Sequence, residues 1–356
     1  MDASGLLAIS RERQAQVDAV LERFFSLAKN RAAAFGESYV ELWQSLEQNT
    51  IGGKRFRPRM VMCAYESLGG TDHEAAAYVG AAFELLHTAL IVHDDVIDRD
   101  FVRRGAPNIS GSYRDAATAA GASPATAEHK GISAAVIAGD LALFNAYRLI
   151  DRSGVGDAVR YRLIEVMDEA LFASAAGELI DVDFSTAVEV PRVDDILTME
   201  RLKTAVYSFE CPLQAGAILA GASEEVVQSL GDFGREIGIA YQIVDDLLGV
   251  FGTEAETGKT TIGDLREGKR TVMISYATST PEWSGIQSLV GKPDLTEAEA
   301  QQVREVLVSS GARSFAQGLA RYYANRALSR LAEPHIPLAL RLELHPVADD
   351  VLGRVK

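Results

Sequence analysis

Residues 84–105 read ELLHTALIVHDDVIDRDFVRRG, and the rest of the chain takes its meaning from them. The run is apolar at helical intervals until Asp94, Asp95, Asp98 and Asp100 arrive together, with Arg103 and Arg104 just behind. Asp94 and Asp98 stand one helical turn apart and share a face. Carboxylates that close repel, and burying them without a counter-charge is costly. A hard divalent ion removes the objection, because Mg²⁺ takes one or two carboxylates, keeps some water and shares phosphate oxygens. The arginine forks downstream suit those same oxygens. The stretch therefore predicts a helix ending in a metal–diphosphate site. A solvated acidic helix end is what it would mean if nothing else in the chain answered it.

Composition sets the frame. The 356 residues are 47% hydrophobic and 24% charged, with only 10 prolines and little strand-like alternation, which favours helices. A net charge of −15 argues against a general nucleic-acid binder. Two cysteines, Cys63 and Cys211, are too few for a disulfide framework and read as reduced buried thiols. The N-terminus lacks the apolar core of a signal peptide, and no run reaches the ~18 apolar residues of a membrane span. The expectation is a cytoplasmic protein.

Working outward from the opening stretch, periodicity predicts helices over about 9–34 and 37–46. The segment 50–58, TIGGKRFRP, then concentrates Lys54, Arg55 and Arg57 before Pro58, the predicted first residue of the next helix. Cations there oppose the helix dipole unless an anion binds. A helix beginning near Thr71, with Glu74 completing a capping box, carries the acidic motif. On it Glu84, His87, Asp94 and Asp98 form a polar stripe. Residues 105–127 read as a loop with a short helix. Helices follow over about 128–152, 158–184 (with Glu178 and Asp181 near its end), from Pro191 through Lys203 and Thr204, and from about 224. No linker or repeat divides the chain, which predicts a single all-α domain over 1–356: a bundle of roughly ten or more helices around a central cavity.

Residues 234–252, GREIGIAYQIVDDLLGVFG, repeat the theme. Gln242, Asp245 and Asp246 sit at helical spacing in an apolar background. Facing acidic helices could hold several Mg²⁺ ions between them. The loop that comes next, TGKTTIGDLREGKRT, carries Lys259, Arg266, Lys269 and Arg270, suited to closing over a diphosphate.

The chain resembles the trans-isoprenyl diphosphate synthases of the polyprenyl synthetase family, most closely a bacterial geranylgeranyl diphosphate synthase. GGKRFRP, HDDVIDRDFVRRG, the Lys203–Thr204 pair, Gln242-x-x-Asp245-Asp246 and EGKRT occur in the family's order, over about 51–276. The resemblance implies the isoprenoid-synthase fold, a homodimer and head-to-tail condensation of isopentenyl diphosphate with an allylic diphosphate. It further implies that Lys54, Arg57, His87 and Arg104 hold isopentenyl diphosphate. Arg103, Lys203, Lys259 and Lys269 would grip the allylic diphosphate. Asp94, Asp98 and Asp245 would ligate Mg²⁺, three ions with substrate bound, with Asp95 and Asp246 completing the shell. Thr204, Gln242 and the Lys203 carbonyl would steady an allylic cation. Two departures stand out: Gly249 replaces the third Asp common in the second motif, and Ala205 follows the Lys–Thr pair where Gly is common. Glu178 and Asp181 resemble a further family element.

The growing product should run along the helix before Asp94, at ~5.4 Å per turn. Ala89 and Leu90 line its first level, Leu86 the next, and Phe83 is a candidate floor. Ala89 and Leu90 leave room where aromatics would stop a fifteen-carbon product, so geranylgeranyl diphosphate is expected. Longer polyprenyl or farnesyl products, a terpene cyclase, a head-to-head synthase and a non-catalytic partner subunit are the competing readings.

Overall fold

A computed structural model describes residues 11–51, 55–103, 105–253 and 262–354. Among these, helices account for almost everything, and strand pairing is confined to one hairpin. Two compact units emerge: Met1–Asp168 with Pro212–Ser223, and Glu169–Cys211 with Glu224–Lys356.

The first unit holds α1 (Arg11–Ala32), α2 (Glu37–Thr50), α3 (Phe56–Ser67), α4 (His73–Ile97), α5 (Ile109–Ala119) and α6 (Pro124–Asp151). Helix α4 is its core. Ala81, Ala82, Phe83, Leu85 and Leu86 are all fully buried, and α1, α3 and α6 pack on it. Small alanines on both α4 and α6 allow that close approach, since interiors pack to near-crystal density. Helix α4 starts one residue later than expected. Asp72, not Thr71, is the cap, its Oδ1 accepting from the Ala75 amide at 3.0 Å. Either residue type can cap, and only the backbone geometry decides.

Helix α3 begins two residues earlier than Pro58, and α6 begins at Pro124 behind the Ser123 cap. By length and composition α4 and α6 could each cross a membrane, which qualifies the expectation that no segment would. Most of the apolar window of α4 is buried inside the protein, as in the core helix of a globular unit.

The chain passes into the second unit along α7 (Asp157–Thr186). There α8 (Val193–Glu200) continues into a π-helical stretch, Arg201–Glu210, and the chain then returns to the first unit along α9 (Cys211–Leu219). Helix α10 (Glu224–Phe251) is the second unit's core, packed against the π-helical stretch and the helix Ala312–Leu331. Completing the unit are α11 (Gly263–Glu267), α12 (Val272–Thr278), α13 (Glu297–Ser309), α14 (Ala312–Leu331) and α15 (Leu338–Arg354). Both units are all-α, as the sequence predicts.

Candidate active site

In the first unit, the acidic motif ends α4. Asp94 and Asp95 lie in its last turn, and Asp98 is the exposed C-cap, its amide bonded to the Asp94 carbonyl at 2.8 Å. Arg99 then takes the left-handed conformation, φ 59°, and turns the chain. Next comes a hairpin that periodicity does not reveal: Val102–Arg103 pairs antiparallel with Ala106–Pro107. This hairpin folds Arg103 back onto the acids. Its Nε donates to Asp95 Oδ1 at 2.7 Å and its Nη2 to Asp94 Oδ2 at 3.1 Å. Burial raises the Asp95 pKa, and Arg103 offsets part of that rise. Burial lowers the Arg103 pKa, but the bond to Asp95 and the charges of Asp95, Asp94 and Asp100 together raise it above its ordinary value.

The basic turn before α3 separates into distinct roles. Arg55 sits in the left-handed region, φ 49°, almost wholly buried. Three acceptors hold it there: Asp18 Oδ1 at 2.9 Å from Nε, with the Thr50 carbonyl at 2.8 Å and Glu84 Oε1 at 2.9 Å from Nη1. Such a conformation in a non-glycine residue persists only when its surroundings over-determine it. Arg55 is therefore structural, stitching α1, α2 and α4. Arg57 and His87 are half-buried. Lys54 and Arg104 lie outside the described residues. Phe83, Leu86 and Ala89 are buried along α4, and Leu90 is half-buried.

In the second unit, Lys203 and Thr204 fall inside the π-helical stretch, a departure from α geometry that recurs at functional sites. At Gly177 a Cβ would strike the Lys203 backbone, so only glycine lets α7 come this close. That approach sets Glu178 Oε2 3.1 Å and Asp181 Oδ2 2.6 Å from Lys203 Nζ. The two acids thus face the cation that the motif supplies. On α10, Gln242 Nε2 donates to Asp246 Oδ1 at 3.0 Å, and Lys269 Nζ reaches the same oxygen at 3.2 Å. Asp246 is buried and its pKa is raised by that burial, with Lys269 pulling the other way. Asp245 is its neighbour on α10, and Lys259 lies outside the described residues.

Sequence reasoning missed Glu200 in this cluster. Glu200 ends α8 with only 2% of its surface exposed, and neither of its oxygens accepts a hydrogen bond among the described residues. Burial first, and then the charge of Asp246, push its pKa well up. Nothing in an acidic residue at the end of a short helix marks it as buried.

The donor sets have the chemistry of a metal that shares its ligands with substrate. Among the described residues, no three His, Cys, Asp or Glu side chains are arranged to hold an ion by themselves. Paired carboxylates beside Arg and Lys suit Mg²⁺ arriving with a diphosphate, because that ion favours one or two carboxylates plus phosphate oxygens.

The polyprenyl synthetase profile matches residues 40–307. The chain belongs to the polyprenyl synthetase family. A geranylfarnesyl diphosphate synthase of Aeropyrum pernix is 34% identical over 317 residues, 88% of this chain and 93% of that protein. A geranylgeranyl diphosphate synthase of Sulfolobus acidocaldarius is 34% identical over 63% of each chain. Among solved structures, the geranylgeranyl pyrophosphate synthase of Corynebacterium glutamicum, complexed with isoprenyl diphosphate and magnesium, superposes with a TM-score of 0.88. It is 28% identical and covers 96% of this chain and 98% of its own.

Proposed function

We propose that this protein is a magnesium-dependent trans-prenyltransferase that extends an allylic diphosphate with isopentenyl diphosphate, head to tail, to geranylgeranyl diphosphate. The observation that carries the reading is that each acidic motif is held against a cation of the kind a diphosphate needs: Asp94 and Asp95 against Arg103, and Asp246 against Lys269. Both clusters serve one reaction. Asp94, Asp98 and Asp245 would hold Mg²⁺, three ions with substrate bound, with Asp95 and Asp246 completing the shell, and the metal would supply positive charge to the departing diphosphate. Arg103, Lys203, Lys259 and Lys269 bind the allylic diphosphate and stabilise the charge it gains. Lys54, Arg57, His87 and Arg104 hold isopentenyl diphosphate.

Gln242 has a definable orientation. Its amide nitrogen is committed to Asp246, so the carbonyl end is the one turned to a developing allylic cation. The Thr204 hydroxyl and the Lys203 carbonyl add dipoles of the same sign. Apolar walls keep water from quenching that cation. The product lies along α4 past Ala89 and Leu90, then Leu86, with Phe83 as its floor. A longer product is the second reading, favoured by the likeness to a geranylfarnesyl diphosphate synthase.

Val136, Ile137 and Phe144 leave an exposed apolar strip on α6 that supports a homodimer. We assign the protein to the cytoplasm, with α4 and α6 in protein rather than lipid.

Incubating the purified protein with Mg²⁺, isopentenyl diphosphate and each allylic primer should give mainly the twenty-carbon diphosphate, and Ala89→Phe should shorten it. No elongation with any primer would sink the enzyme reading in favour of a non-catalytic partner subunit. Unchanged products from Ala89→Phe would remove the tunnel assignment alone.

A further inference from the structure

The second acidic motif reads DDLLG, and Gly249 stands one turn beyond Asp245 on the same face of α10, where a third Asp is common. That place is not empty. A Cβ built on Gly249 would collide with Oδ2 of Asp264, so the carboxylate of Asp264 fills the space that a side chain at 249 would take. We infer that Asp264 supplies, from outside the helix, the third carboxylate of the second metal–diphosphate motif; the inference rests on the prenyltransferase reading.

The local chain geometry holds Asp264 there. It lies in the first turn of α11, anchored by Leu265, which is 1% exposed. Gly268 closes that helix in the left-handed conformation, φ 69°. The Lys269 amide then bonds back to the Asp264 carbonyl at 3.0 Å. One turn of chain thus delivers the Asp264 carboxylate and the Lys269 ammonium to the same end of α10.

A second feature points to a cationic guest. Glu200 is buried where α8 packs on α10, and its two oxygens accept no hydrogen bond among the described residues. Asp245, Asp246, Asp264 and Glu200 all lie within electrostatic reach of the Lys269 ammonium. Asp246 and Glu200 are buried, Asp264 is half-buried and Asp245 is exposed, and buried acids short of counter-charge favour a bound cation.

The competing view is that Asp264 only pairs with Lys269 and shapes the loop. Three proteins separate the two: Asp264→Asn, Asp264→Ala, and Asp264→Ala combined with Gly249→Asp. Each is titrated with Mn²⁺ in the presence of inorganic diphosphate and followed by electron paramagnetic resonance, with circular dichroism to check the fold. Asp264→Asn keeps the volume and removes the charge, so it should weaken Mn²⁺ binding about tenfold, the loss typical of a residue supporting a metal site. Asp264→Ala should do the same, and adding Gly249→Asp should recover most of the affinity, because the carboxylate returns from the helix itself. Wild-type binding in Asp264→Asn, or a double variant no better than Asp264→Ala, would overturn the inference while leaving the prenyltransferase reading intact. Failure of the unmodified protein to bind Mn²⁺ with diphosphate would overturn both.

Discussion

In the first acidic cluster the counter-charge comes from 8 residues along the chain, Asp95 to Arg103; in the second it comes from 23, Asp246 to Lys269. The short path is a hairpin that lays one guanidinium fork across two carboxylates. The long path brings a single ammonium, whose side chain is still 36% exposed, to an Asp that is only 3% exposed. Buried acids near the first cluster each have a guanidinium: Asp95 has Arg103, and Glu84 has Arg55. In the second, Glu200 has none among the described residues. A fork shared in a fixed geometry compensates acids well, whereas an ammonium acts as a point charge. The second cluster is thus the one in which acids stay short of positive charge, and its affinity for a cation follows from that shortage.

The largest effects should come from taking away the compensation that the first region enjoys. Arg55→Ala strands Glu84, Asp18 and the Thr50 carbonyl at once. Breaking a buried pair by removing one partner costs about 3–5 kcal/mol, read as a lower midpoint in urea. Arg57→Ala, two residues away, should leave that midpoint nearly unchanged and raise KM for isopentenyl diphosphate. Equal destabilisation by the two would mean that the turn is one undivided basic patch.

Next in size, Asp94→Asn and Asp245→Asn should each lower kcat by roughly 10²–10³-fold, the loss found when one preorganised electrostatic group is removed. That equals about 3–4 kcal/mol of barrier. Near-normal turnover in either variant would break the claim that both clusters serve the same reaction.

How far the sequence foretells all this differs between the two regions for a physical reason. Helices α4 and α10 are long and strongly periodic, and their acids interrupt an apolar pattern, so element and motif are both visible in the chain. Arg103 is close enough in sequence to be paired with Asp94 by eye. The hairpin that does the pairing is hidden, because two-residue strands have no periodicity to detect. The π-helical stretch is equally hidden, since it replaces α geometry without changing the apolar pattern. Among the basic residues of 50–58, charge alone cannot tell the buried Arg55 from the half-buried Arg57; the difference lies in Asp18 and Glu84, distant in sequence. Asp264 and Glu200 escape a sequence reading because their neighbours on α10 are contributed by another element. Local pattern reports what a helix does to itself, and the second cluster is assembled from several.

The smallest effect tests the contrast most directly. Burial and Asp246 hold the Glu200 pKa well above its usual 4.5. In the unfolded chain Glu200 loses its proton near the ordinary value; in the folded protein it keeps that proton to higher pH. Between those two points the unfolded state binds fewer protons, so stability falls as pH rises through the window. Each unit of difference is worth about 1.4 kcal/mol. Glu200→Gln has nearly the same shape and no proton to lose, so it removes this slope. Urea unfolding of both proteins without added metal, stepped from about pH 5 to about pH 9, should therefore give a gap in favour of the Gln variant that widens with pH. Parallel curves would mean that Glu200 is ionised in the fold with Lys269 as sufficient counter-charge. The second cluster would then be as well compensated as the first, and the contrast between them would be one of sequence distance alone.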